Sequence, residues 1–136
     1  MIHLDTNVAI ALLNGRPPQV RTHFDAARDA AIPIGLSSIA YHELMYGAAV
    51  STRRRANEEK IALFIASGRI ALLPFDEADA GEAADIRAYL RRQGTPIGPY
   101  DVLIAAQARR AGTMLVTANI GEFARVPGLQ IRDWSA

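Results

Sequence analysis

Met1-Ile2-His3-Leu4-Asp5-Thr6-Asn7-Val8-Ala9-Ile10-Ala11-Leu12-Leu13-Asn14-Gly15 opens the chain and decides how the rest is read. Met1 to Asp5 predicts a short buried strand. Thr6 to Asn14 predicts a helix, stopped by Gly15, a residue at home in the left-handed backbone that ends helices. A strand that passes straight into a helix, with a carboxylate at the joint, is the unit of an α/β fold. Outward from there the pattern repeats. Pro17 and Pro18 suit the first turn of a second helix running to about Ala30. Ile32 to Leu36 predicts a strand, with Ser37 or Ser38 capping a helix that carries Ile39 to about Val50. A further helix runs from about Arg53 to Ser67 and stops at Gly68. Ile70 to Leu73 predicts a strand and Asp76 to Gln93 an amphipathic helix ended by Gly94. Thr95 to Pro99 reads as a rigid loop, Tyr100 to Ala111 as a helix ended by Gly112, and Met114 to Thr117 as a strand. After Pro127-Gly128, Leu129 to Arg132 predicts a last short strand. Alternating strands and helices imply an α/β architecture, a central mostly parallel sheet flanked by helices on both faces. With 136 residues and no linker or repeat, residues 1–136 are expected to form one domain.

Composition narrows the function classes. Cysteine is absent, which excludes a disulfide framework and thiolate metal ligation. No apolar run approaches the roughly 20 residues of a membrane span, and the N-terminus has no basic and apolar leader pattern. The expected compartment is therefore the cytoplasm, with no membrane partner. The basic side chains are nearly all arginine, Lys60 being the single lysine. Arginine-rich genome composition explains this, and so does phosphate contact by the planar guanidinium.

Sheets of this kind place their sites at the carboxyl ends of the strands, so polar residues just past those ends matter most. Asp5 ends the first strand, where it also suits a helix cap. Glu43 lies within Ile39-Ala40-Tyr41-His42-Glu43-Leu44-Met45-Tyr46-Gly47-Ala48, on a stripe of small and apolar residues where an unpartnered carboxylate is costly. The competing reading is a half-exposed glutamate at the helix edge. Asp101 follows Pro96-Ile97-Gly98-Pro99-Tyr100 and starts a largely apolar helix, where an acid also favours the helix dipole. Glu122 follows the Met114 to Thr117 strand, with Thr117 and Asn119 as nearby polar candidates; a solvated loop glutamate is the alternative. Each acid alone has an ordinary explanation. Together they fall near strand ends that converge on one edge, where carboxylates stay ionised side by side only if a cation neutralises them. All-oxygen coordination suits Mg²⁺ or Mn²⁺, ions that activate water and offset phosphoryl charge. His3, His23 and His42 show no ligand spacing and read as structural or surface residues. Setting the four acids aside leaves ten acidic against fifteen basic residues, a moderately basic remainder that favours a polyanionic substrate. Arg53-Arg54-Arg55, Arg91-Arg92 and Arg109-Arg110 are its densest clusters, each also explained as a solvated helix face.

The opening Leu4-Asp5-Thr6-Asn7, the Glu43 helix ending Tyr46-Gly47, the segment Pro96 to Ala106 and the tail Thr117 to Leu129 followed by Asp133-Trp134 together resemble PIN-domain toxins of the VapC type. The resemblance spans essentially the whole chain in the family's order. It implies a PIN-like fold and a Mg²⁺- or Mn²⁺-dependent endoribonuclease, the toxin of a type II toxin–antitoxin system. Asp5, Glu43 and Asp101 match the family's three acidic positions. The family's fourth acid position holds Asn119 here, with Glu122 three residues on. That departure leaves open whether Glu122 is the fourth metal ligand, whether Asn119 is a neutral one, or whether one metal suffices. Thr6 and Thr117 match polar positions near the site. The resemblance further implies structured RNA as substrate (tRNA, with initiator tRNA cut in its anticodon loop as the narrowest form), a VapB-type antitoxin partner and a homodimer.

Two other classes are weighed by their own signals. A haloacid-dehalogenase-type phosphotransferase needs a second aspartate two residues after the first, where this chain has Asn7. A non-catalytic binding module, or a nuclease acting with its antitoxin as a DNA-binding regulator, is the other alternative; loss of an acid would favour the binding module, and all three are present.

Overall fold

The computed structural model describes residues 1–136. Its elements run β1 (Ile2–Leu4), α1 (Thr6–Asn14), α2 (Pro18–Asp29), β2 (Ile34–Ser37), α3 (Ser38–Ala49), α4 (Arg54–Gly68), β3 (Ala71–Leu73), α5 (Glu77–Gln93), α6 (Pro99–Ala111), β4 (Met114–Val116), α7 (Ile120–Phe123) and β5 (Gln130–Arg132). The five strands form one parallel sheet in the order β3-β2-β1-β4-β5. The chain winds outward from β1 through β2 to β3, then crosses back to β4 and β5 on the other side. Right-handed crossovers therefore put α1 to α4 on one face and α5 and α6 on the other. The winding reverses between β1 and β4, and the crevice at such a reversal is where α/β sheets bind ligands.

The strands are short, so packing rather than ladder length holds them. Leu4, Leu36, Leu115 and Val116 on the three central strands are wholly buried, in one core with Phe24, Phe64, Ile86, Leu90 and Ile104 from the helices. Burying a leucine of this kind stabilises by about 2 kcal/mol. Gly35 on β2 permits close packing: a Cβ there would meet the Leu73 side chain at 2.5 Å and His3 at 3.3 Å.

Most expected elements are present, with four differences. The β2 strand begins at Ile34, not Ile32, because α2 ends in a tight closure. There Ile32 N–H bonds Ala27 O, and Ala31 is left-handed at φ 58°. Helix α4 stops at Gly68, as expected, but Gly68 is not its left-handed cap. Gly68 is its last residue, and Arg69 takes the left-handed cap at φ 52°. Pro99 belongs to α6 rather than to the loop before it, since its ring fits a first helical turn. The short α7, which carries buried Phe123, lies where only a loop was expected. No helix is long and apolar enough to cross a membrane.

Candidate active site at the carboxyl edge of the sheet

Asp5 occupies the winding reversal. Its N–H donates to Val116 O at 3.0 Å, which ties the end of β1 to β4. The residue is 3 % exposed, and its Oδ1 accepts the Val8 N–H at 2.8 Å. Asp5 is thus the N-cap of α1, as its position suggests. Burial raises its pKa, hydrogen bonds from the Thr117 hydroxyl and the Val8 N–H oppose the rise, and the Glu43 charge adds to it. Thr117 is fully buried beyond β4. Its N–H donates to Arg132 O at 2.9 Å and its Oγ1 accepts the Asn119 N–H at 2.9 Å.

Glu43 is half-buried in the middle of α3, between the apolar stripe and the exposed edge. Its Oε1 accepts the Thr6 hydroxyl at 2.7 Å, which joins α3 to the first turn of α1. Thr6 therefore aims Glu43, a contact between residues far apart in the chain. Asp101 is the third residue of α6, placed by the Pro96 to Pro99 approach. The side chain folds back over the helix start: a Cβ on Gly98 would stand 3.0 Å from its Oδ2. Its pKa rises to about 6, first through burial, then through the charges of Glu122, Asp5 and Glu43, and through a hydrogen bond with Glu122. Glu122 sits on α7 and accepts the Asn119 side-chain amide at 2.7 Å.

The fold thus gathers all four acids at one edge, with Thr6, Thr117 and Asn119 donating to or bracing them. The charges that raise Asp101 are those of three other carboxylates. An all-oxygen set under mutual repulsion fits a hard divalent cation. No three histidine or carboxylate side chains stand as a ready-made ligand cluster. The physical reason is visible in the contacts: Glu43, Glu122 and Asp5 are each turned toward a donor of the chain itself.

The other flagged residues fall elsewhere. Arg54 and Arg55 pair with Glu58 and Glu59 at 3.5 and 3.4 Å along the α4 surface. Arg109 and Arg110 hold α6 to α5, at 2.8 Å to Glu82 and 2.7 Å to Asp79. His3 is buried on β1 with its Nε2 unpartnered, His23 stacks on Trp134, and His42 meets Tyr100. Sequence reasoning missed the buried polar seam of Asp79 and Gln107. The Asp76-x-x-Asp79 capping pattern, with its reciprocal backbone bonds, was the available signal.

Comparison with known proteins agrees with this architecture. Residues 2–129 match the family described as PIN domain. The tRNA(fMet)-specific endonuclease VapC of Shigella flexneri is 41 % identical over 132 residues, 97 % of this chain and 96 % of that protein. A chain in the DNA-bound VapBC structure from Salmonella typhimurium superposes with a TM-score of 0.89 at 38 % identity, covering 98 % of this chain and 97 % of that one. A chain of VapBC2 from Rickettsia felis, bound to a DNA fragment from their promoter, gives 0.90 at 31 % identity, covering 98 % and 99 %. With fold, edge and sequence in agreement along nearly its whole length, the chain belongs to the PIN-domain family, among its VapC members.

Proposed function

We propose that this chain is a divalent-metal-dependent endoribonuclease, the toxin of a type II toxin–antitoxin pair, which cuts structured RNA and so inhibits translation. The observation that carries the reading is the convergence of Asp5, Glu43, Asp101 and Glu122 at one sheet edge, where the charges of the other three raise Asp101. Mg²⁺ or Mn²⁺ bound there would supply an activated water and offset charge on the phosphate. Asp5, Glu43, Asp101 and Glu122 are the proposed ligands. Asp5 is rigid, since the Val8 N–H and Thr117 fix it. Thr6 orients Glu43 and Asn119 orients Glu122, the 2.7 Å bonds setting where each free oxygen points. Asp101, raised to about 6 by burial and the neighbouring carboxylates, is ionised and available to a cation at neutral pH.

The substrate is tRNA in this reading, with the initiator tRNA anticodon loop as its narrowest form, because the Shigella relative is named for tRNA(fMet). A VapB-type antitoxin is the expected partner and a homodimer the expected assembly, in the cytoplasm, with residues 1–136 forming the one PIN domain. A second reading, a DNA-binding regulatory complex formed with the antitoxin, is favoured by the two relatives solved as VapBC bound to DNA.

The test is incubation of purified protein with total bacterial RNA in Mg²⁺, Mn²⁺ or EDTA, with new ends mapped by sequencing. Discrete cuts that need metal and vanish in the folded Asp101→Asn protein are expected. A folded Asp101→Asn protein that cuts like wild type would overturn the assigned role, and absence of any RNA cut would move the reading to DNA.

A further inference from the structure

Aromatic side chains are scarce in this chain, at 7 % Phe, Tyr and Trp, and nearly all pack against the core. Among those three residue types the large exposures are Tyr46 at 62 % and Tyr100 at 47 %. Both lie beside the carboxylates. Tyr100 directly precedes Asp101, and Tyr46 stands one turn after Glu43 on α3. His42, exposed and directly before Glu43, lies one turn before Tyr46 on the same stripe. Its ring meets that of Tyr100 edge to face, with centroids 5.9 Å apart and planes at 71°. The contact joins α3 to the start of α6, next in the chain to Glu43 and Asp101. None of the three side chains donates or accepts a side-chain hydrogen bond that would account for its position.

We propose that Tyr46, Tyr100 and His42 form a stacking wall that holds unpaired bases of a single-stranded RNA segment beside the phosphate to be cut. The inference rests on the nuclease reading of the acidic edge. Aromatic faces bind bases of any sequence, and stacking of one base is lost when the ring is removed. A wall beside the carboxylates would select RNA loops, whose bases are free to splay, over paired stems, whose bases are not. It would act by positioning substrate, separately from the residues that touch the reacting phosphate.

The experiment measures binding in EDTA, where no cleavage occurs, by fluorescence anisotropy of a short single-stranded RNA of mixed sequence. A matched strand carrying abasic sites is the control. Tyr46→Ala with Tyr100→Ala should weaken binding of the base-bearing strand by roughly tenfold or more and leave the abasic strand unchanged. Tyr46→Phe with Tyr100→Phe should bind like wild type, because the face and not the hydroxyl is used. In a measurement free of variants, wild-type protein should quench a 2-aminopurine base placed in the strand. Equal weakening on both strands, no weakening, or no quenching overturns the proposal. So does a fall in mass by light scattering in the alanine protein, which would assign the rings to an interface between two copies. Binding in EDTA needs no metal, so this result and the Asp101→Asn cleavage result fail independently.

Discussion

Asp101 is the side chain whose chemistry its surroundings alter most. Its folded pKa of about 6 lies above the ordinary carboxylate range because burial and three neighbouring acids penalise its charge. The sign for stability follows directly. A carboxyl whose pKa is raised on folding contributes stability that is complete below the unfolded value and lost as pH rises through the folded one. Without divalent cation, Asp101's contribution to the thermal midpoint should therefore fall between about pH 4 and about pH 6; Asp5, raised by burial, acts in the same direction and His3, lowered by burial, in the opposite one. Asp101→Asn, which carries no charge, should flatten that fall and raise the midpoint at pH 7 in EDTA. Melts of both proteins across this pH range check it; an Asp101→Asn curve parallel to wild type would show that Asp101 does not carry the repulsion.

At the level of helices and strands, the ends of α2 and α4 depart from the usual cap. The left-handed caps of α1, α5 and α6 are the glycines Gly15, Gly94 and Gly112. Helix α4 instead places Arg69 there, while Arg69 N–H and Ile70 N–H close onto Ala66 O and Ile65 O. Left-handed backbone costs a residue with a Cβ roughly 1 kcal/mol relative to glycine. Arg69→Gly should therefore stabilise the protein by about 0.5 kcal/mol in urea unfolding, the extra freedom of glycine in the unfolded chain offsetting part of the gain. A loss of stability instead would mean that the arginine side chain contributes more than its backbone costs. Arg69 lies at the opposite end of the sheet from the acids, so metal-dependent cleavage should not change.

For the whole molecule, the acidic edge makes folding and cation binding one linked equilibrium. The four carboxylates repel one another across elements that are otherwise well packed, so whatever neutralises them stabilises the fold. Saturating Mg²⁺ at pH 7 should raise the thermal midpoint by roughly 3–8 °C over EDTA. The shift should shrink in Asp5→Asn and persist in Arg69→Gly. An unchanged midpoint in wild type would count against a shared cation site among these four residues.

The α/β class, the order of the elements and the acids worth testing were legible in local chemistry. Asp5 at a strand–helix joint, proline in the first turn of α2, and glycine after α1, α5 and α6 are patterns within a few residues, which sequence displays directly. Tertiary packing decided what depends on distance. It moved the start of β2 past the left-handed closure at Ala31, and it turned a stretch with Gly121 in it into the α7 that carries Glu122. It also joined Thr6 to Glu43 across 37 residues and tied Arg110 to buried Asp79 across 31. Packing alone could raise Asp101, because burial and Coulomb repulsion add up through space from groups that periodicity and caps cannot bring together.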